Sequence, residues 1–183
     1  RRLLFDTGAN GRILLDNMAK LDIDPRTIDE VFISHHHYDH TGGLSSFLNQ
    51  NNDVIVFSPP SFRGVKNVQE LKYIDEPTDL GDDFYSTGEL KNIEQSLAIK
   101  TEQGIVVLAG CSHSGLPLIL ETSQQFGELY ALIGGFHGFS KYNALESLEV
   151  VCPTHCTQHI KEIKQKYPEK YIQGGAGLVF EIE

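Results

Sequence analysis

A chain of 183 residues, 40% hydrophobic and 22% charged, has enough apolar material for one packed domain and is not the composition of a disordered chain. Its formal net charge of −10 argues against a nucleic-acid partner, because a phosphate backbone is held by clustered Lys and Arg. No stretch approaches the roughly 18 apolar residues of a membrane span, and Cys111, Cys152 and Cys156 do not form a secreted disulfide framework, so a reducing, cytoplasmic home is expected.

Leu3-Leu4-Phe5 reads as a short buried strand ending at Asp6-Thr7-Gly8. Asn10 is placed to cap a helix with Leu14, Leu15, Met18 and Leu21 on its apolar face, and Asp24-Pro25 starts a short turn. Val31-Phe32-Ile33 is a buried strand that empties into Ser34-His35-His36-His37-Tyr38-Asp39-His40. A helix with Leu44, Phe47 and Leu48 follows Gly42-Gly43, and Val54 to Phe57 is the next strand. Residues 61–82 are polar and read as a surface loop with at most a helical turn. Gln95 to Thr101 and Ile105 to Ala109 form a hairpin around Glu102-Gln103-Gly104. The second hairpin strand ends at Gly110-Cys111-Ser112-His113 and leads into a helix with Leu116, Ile119, Leu120 and Phe126; Leu129 to Ile133 is a strand ending at Gly134-Gly135-Phe136-His137, and Val150 to Cys152 another, ending at Pro153-Thr154-His155. A helix with Ile160, Ile163 and Tyr167 and a last strand from Gly177 to Ile182 complete the chain. With no linker in sight, one domain over 1–183 is expected, with sheets inside and helices outside.

The chemistry is concentrated in His35-x-His37-x-Asp39-His40. Alternate residues of an extended chain face the same way, so His35 and His37 can bind one ion together. Asp39 and His40 come round the turn before Gly42-Gly43 and can serve a second ion. Imidazole and carboxylate suit zinc, and also iron or manganese. A His-rich solvated loop or tag is the bland alternative, but Tyr38, Asp39 and Thr41 in a strand-to-helix turn do not fit it.

His35-x-His37-x-Asp39-His40-x-Gly42-Gly43 resembles the signature of the metallo-β-lactamase superfamily, and Asp6-Thr7-Gly8 is similar to the aspartate–glycine turn that precedes it in many members. Thr87-Gly88-Glu89, Gly110 to Gly115, Gly134-Gly135-Phe136-His137 and Pro153 to Thr157 resemble one branch, which includes archaeal dihydropterin–ribofuranosylaminobenzene-phosphate synthases and many uncharacterised metal-dependent hydrolases. The resemblance implies an α/β, four-layered αββα sandwich, and the sequence starts too late to contain the N-terminal hairpin usual before the Asp6 strand. It implies His35, His37 and His113 around one divalent ion and Asp39, His40 and His155 around the other. It also brings departures: the superfamily's bridging Asp has no counterpart near Cys111, and Glu89 stands where many members have His.

The remaining candidates divide. His113 and His155, each in a loop after a strand, are expected beside the His35–His40 loop rather than as buried structural histidines. His137 is expected at the same cavity, in catalysis or substrate binding, with Gly134-Gly135 bringing backbone close to a substrate oxyanion. Asp6 is expected to hydrogen-bond a ligand histidine. Cys152 reads as core, Cys111 as core or metal contact, His36 and His159 as solvated, and Glu89 as site or surface turn. The reading is a binuclear metal-dependent hydrolase in which Asp39 orients the attacking hydroxide and His137 serves the oxyanion or leaving group. Its partner is a small-molecule substrate, by resemblance a phosphoester. A pterin-related synthase or transferase, a di-iron oxidoreductase and an inactive metal-binding protein are the alternatives.

Overall fold

The computed structural model describes residues 1–179 and 181–182. Its two sheets and their helices have separate apolar interfaces, and these account for the layering. In the first sheet β1 (Leu3–Phe5), β2 (Glu30–Phe32), β3 (Ile55–Ser58) and β4 (Glu70–Tyr73) lie in that order, all parallel. On its outer face α1 (Gly11–Lys20) and α3 (Leu44–Leu48), which follows the one-turn α2 (Tyr38–Thr41), pack Met18, Leu44 and Phe47 against Val31, Ile33 and Val56. Asn10 caps α1 by accepting from the amides of Arg12 and Ile13, as the sequence predicts.

The second sheet runs β10 (Val150–Thr154), β9 (Leu129–Gly135), β8 (Gly104–Ala109), β7 (Leu97–Thr101), β6 (Phe84–Ser86), β5 (Thr78–Gly81). The strands β8, β9 and β10 are parallel neighbours, and β5 to β8 are antiparallel. Ile119 and Leu120 of α4 (Leu116–Gln124) and Ile163 of α5 (Ile160–Lys166) cover its outer face over Val107, Leu132 and Val151. Between the sheets, Phe32 and Phe57 meet Leu97, flanked by Phe5, Ile99 and Leu108. Helix, sheet, sheet and helix therefore stack as the αββα sandwich expected from the sequence.

Two expectations are corrected. Residues 61–82 are not a plain loop, since β4 and β5 lie within them. Both are edge strands of their sheets, and an edge strand with one face to solvent needs no run of apolar residues to form. The strand expected from Gly177 to Ile182 is not formed at the described residues there, and Phe180 lies outside them. Gly174, Gly175 and Gly177 raise the entropy cost of ordering that segment, and among the described residues the chain beyond α5 meets β10 earlier, at the bridge Val151–Tyr171.

This topology builds one rim. Parallel strands end on the same side, so the loops after β8, β9 and β10 deliver Cys111 and His113, then His137, then His155 to one place. The loops after β1 and β2 bring Asp6 and His35 from the other sheet. Gly110 lets the sheets touch there: a Cβ on it would lie 2.2 Å from Ser34 Oγ and 3.2 Å from His35 Nδ1.

Candidate metal centre

The backbone at the rim is held in an uncommon conformation. Asp6, Ser112, His137 and His155, one in the loop after each of β1, β8, β9 and β10, have φ of 56°, 60°, 48° and 49°. Left-handed conformations at non-glycine residues cost energy and persist where the surroundings fix them, typically at functional sites.

Six of the predicted residues come together in two groups. The donor atoms of His35, His37 and His113 lie within 4.8 Å of one another, and so do those of Asp39, His40 and His155. His35 Nε2 is 3.1 Å from His37 Nδ1, and its ring centroid is 5.0 Å from that of His113. In the second group His40 Nε2 is 3.1 Å from His155 Nε2, and Asp39 Oδ2 is 3.1 Å from His155 Nε2. His35 and His40 rings are 4.0 Å apart, so the groups adjoin.

Electrostatics favour the neutral ring, with a lone pair to donate, at His35 and His113. Burial, then the neighbouring His40, His37 and His113, lower the pKa of His35 to about 2. Burial also lowers that of His113, with Glu94 opposing and His37 and His137 adding to the effect. For His40 burial favours the neutral ring, but the hydrogen bond and charge of Asp6 outweigh it and raise the pKa. Burial raises Asp39, but His40, a backbone hydrogen bond and His155 overcome it and hold the carboxyl below its ordinary range.

Asp6 does what the sequence predicts. Its Oδ2 lies 2.6 Å from His40 Nδ1 and accepts from Ser34 Oγ at 2.7 Å, while Oδ1 accepts from the Ser34 amide. Fixing the proton on Nδ1 leaves His40 Nε2 to face the group. Asp6→Ala should weaken metal affinity or turnover by about 10–100-fold; metal titration of the variant checks this, and unchanged affinity and turnover would remove Asp6 from the account.

The other candidates separate. His137 stands exposed, its ring 5.0 Å from that of His113, and borders a cavity of ≈ 480 Å³ with Phe139 and Lys141. A second cavity of ≈ 550 Å³ reaches Asp39, His40 and His155 from the β1 side, past Ile13 and Ile133. Cys111 lies on the floor of the centre, its Sγ 3.3 Å from His40 Nε2, and burial, then Cys156, push its thiol pKa up. Cys152 is core, as expected. His36 is exposed, whereas His159 is only partly exposed, next to Glu162.

Two readings sharpen. Gly134-Gly135 lines the cavity that reaches Asp39, His40 and His155, and its lack of side chains is required by strand packing: a Cβ on Gly134 would sit 1.9 Å from the Ala109 carbonyl, and one on Gly135 2.3 Å from that of Gly110. The pair lets β9 pack against the end of β8. Glu89 belongs to the surface, where its Oε1 accepts from the Ser61 amide. Sequence reasoning missed Glu94, which is 1% exposed and accepts from the Ser114 amide and hydroxyl at 2.6 and 2.7 Å. It supplies a buried negative charge facing His113 and His40. Nothing in its local sequence distinguishes it from a surface glutamate; the bridge between His35 and Glu94, made by the fold, brings it in.

The comparisons with known proteins agree with this geometry. The model of the metallo-β-lactamase superfamily matches residues 1–88. A crystal structure of a metal-dependent hydrolase of the β-lactamase superfamily superposes with a TM-score of 0.79 at 26% identity, covering 98% of this chain and 88% of that one. Residues 1–88 thus match that superfamily's model, and the chain as a whole shares its fold. YhfI from Bacillus subtilis, a metallo-β-lactamase-fold protein 14% identical, shares the fold with a TM-score of 0.68 over 97% of this chain and 86% of its own. Among curated relatives, 7,8-dihydropterin-6-methyl-4-(β-D-ribofuranosyl)-aminobenzene-5′-phosphate synthase of Methanocaldococcus jannaschii is 27% identical, covering 100% of this chain and 85% of the relative. An uncharacterised protein of the same organism is 25% identical, with 100% and 89% covered.

The metallo-β-lactamase fold generally binds divalent metals, and the residues of this domain fit such ions. His113 Nε2 is buried without a hydrogen-bond partner, in a ring turned towards His35 and His37. An orphaned buried nitrogen is costly unless something accepts its lone pair or proton. Six imidazole or carboxylate donors in two adjoining groups of three are a donor set for borderline divalent ions. Among the described residues no helix is long and apolar enough to cross a membrane.

Proposed function

We propose that this domain is a binuclear metal-dependent hydrolase acting on a phosphoester. The observation that carries the reading is the pair of adjoining donor groups, His35–His37–His113 and Asp39–His40–His155. Two divalent ions, when bound, make hydroxide available near neutral pH and polarise a phosphoryl oxygen. They also reverse the local sign of a chain whose net charge is −10, so an anionic substrate is acceptable.

The chain's own residues supply the rest. Asp39, half exposed and held ionised, accepts a hydrogen bond from the attacking nucleophile and orients it. His137 reaches the cavity beside His113 and donates the proton that the leaving oxygen needs. Lys141 on the same cavity wall supplies a cation for a phosphate. Pro117 and Phe139 give the wall apolar surface for the rest of the substrate.

A second reading has its own support. The synthase relative aligns with the whole of this chain, and its name describes a product bearing a pterin and a phosphorylated ribosyl-aminobenzene. On that reading the same centre joins two substrates. Metal-supplemented protein should be offered a phosphomonoester, phosphodiester and thioester panel, and separately a 6-methyl-dihydropterin carrying a leaving group on its methyl carbon together with a phosphorylated ribosyl-aminobenzene. Release of inorganic phosphate or alcohol from the panel supports hydrolysis. A joined pterin product with an inert panel replaces hydrolysis by synthesis.

A further inference from the structure

Glu94 is 1% exposed, and among the described residues no ion pair includes it. A buried carboxylate is costly unless a cation or a metal lies close enough to offset its charge. One of its oxygens has a partner: Oε1 accepts from the Ser114 amide at 2.6 Å and from the Ser114 hydroxyl at 2.7 Å. Ser114 follows His113 in the chain, so this clamp sets the loop that presents the His113 ring. The backbone of Glu94 is tied to the other side of the centre. It bridges His35 as an antiparallel partner, and the amide of Gln95 donates to the Ser34 carbonyl at 2.8 Å. Directly opposed residues of an antiparallel pair present their side chains to one face, which puts the Glu94 carboxylate on the face of the His35 ring. The Gln95 side chain fixes that register, donating to the Ile33 carbonyl and accepting from Ser86 Oγ, both at 2.8 Å. One residue therefore holds two members of the His35–His37–His113 group. Of the charges acting on the His113 ring, that of Glu94 is the strongest.

The two donor groups also differ in charge. Asp39 brings a carboxylate to His40 and His155. His35, His37 and His113 are three imidazoles, neutral when they bind a metal, and offset none of a divalent ion's charge. We propose that Glu94 is the positioning residue and buried counter-charge of the His35–His37–His113 position, bracing two of its three ligands and offsetting the charge of the ion they hold without being a ligand itself. The inference rests on the metal reading of the centre given above. It carries a signature that a merely structural carboxylate lacks. Without metal the buried charge is a burden on the fold, and with metal it becomes an asset. Glu94→Gln keeps an acceptor for Ser114 and nearly the same shape while removing the charge, so its effect should reverse between the two states.

Thermal unfolding of the full chain, chelator-stripped and zinc-loaded, together with zinc titration, tests this. Stripped Glu94→Gln should unfold at or above the wild-type temperature, and zinc should raise that temperature less than it does in wild type. One of its two zinc ions should bind about 10–100-fold more weakly. Ser114→Ala, which loses a hydrogen bond and keeps the charge, should hold zinc more nearly as wild type does. In a His113→Ala background, where the other position remains, adding Glu94→Gln should have little effect on the retained ion. Four results overturn the proposal while leaving the metal reading intact: a stripped Glu94→Gln that unfolds earlier than wild type or fails to fold, wild-type zinc affinity in that variant, an equal loss in Ser114→Ala, or the same loss in the His113→Ala background. Wild-type protein that retains no zinc overturns both.

Discussion

Asp39→Ala should lower turnover by about 10²–10³-fold, the scale of losing one preorganised electrostatic contact at a reacting centre, with little change in stability. Asp39 sits in the first turn of the short helix Tyr38–Thr41, and its side chain is 50% exposed, so truncation opens no core cavity. What it removes is the carboxylate that faces His155 and His40. On the proposed reading, loss of that carboxylate weakens one metal position and leaves the nucleophile unoriented, so both effects fall on the same step. The measurement is single-turnover kinetics on whichever substrate the panel identifies, beside metal stoichiometry and thermal unfolding of the variant. Wild-type turnover in the variant would show that the second position has no part in the chemistry.

Gly134→Ala should have the opposite profile, with a large loss of stability and a loss of activity that follows from it. A Cβ there would lie 1.9 Å from the Ala109 carbonyl and 2.9 Å from its carbon. Those are backbone atoms of the neighbouring parallel strand, so no side-chain rotation relieves the contact. Gly134 also has φ of 132°, which an L side chain rarely adopts. Overpacking and backbone strain together cost about 2–6 kcal/mol, and for a domain of this size each kcal/mol lowers Tm by about 2–4 °C. The rim loops after β8 and β9 carry Cys111, His113 and His137, so a shift between these strands misplaces three residues of the centre. Thermal unfolding checks the prediction, and a Tm within a degree or two of wild type would contradict it.

Much of this architecture was legible because hydrophobic runs and histidines alternate along the chain. Val31 to Ile33, Ile105 to Ala109, Leu129 to Ile133 and Val150 to Cys152 are apolar enough to read as buried strands, and each is followed by a loop with a histidine. Parallel pairing of β8, β9 and β10 then gathers the loops. Strands whose stability comes from pairing rather than burial were not legible. The β4 strand, Glu70-Leu71-Lys72-Tyr73, is mostly exposed and forms because β3 offers it a hydrogen-bonding edge. The segment after Gly174 shows the converse error, an apolar run that its glycines leave outside the sheet at the described residues.

At the centre, the residues with strong intrinsic chemistry were visible and those defined by context were not. His35, His37, Asp39 and His40 declare themselves by spacing, and His113 and His155 by following strands. Gly134 and Gly135 border the cavity, as their sequence suggests, but the crowding that demands glycine comes from the adjacent strand, because sequence records that a glycine is needed and not what crowds it. Glu94 acquires its role only where the two sheets meet.

The most direct test of a two-position centre is the metal content of purified, metal-supplemented protein by elemental analysis, alongside His113→Ala and His155→Ala. Two divalent ions per chain are predicted for wild type, with one tightly held ion lost in each variant and the remaining one insensitive to the other's ligands. Wild-type protein that retains no ion, or variants that both keep two, would contradict the account.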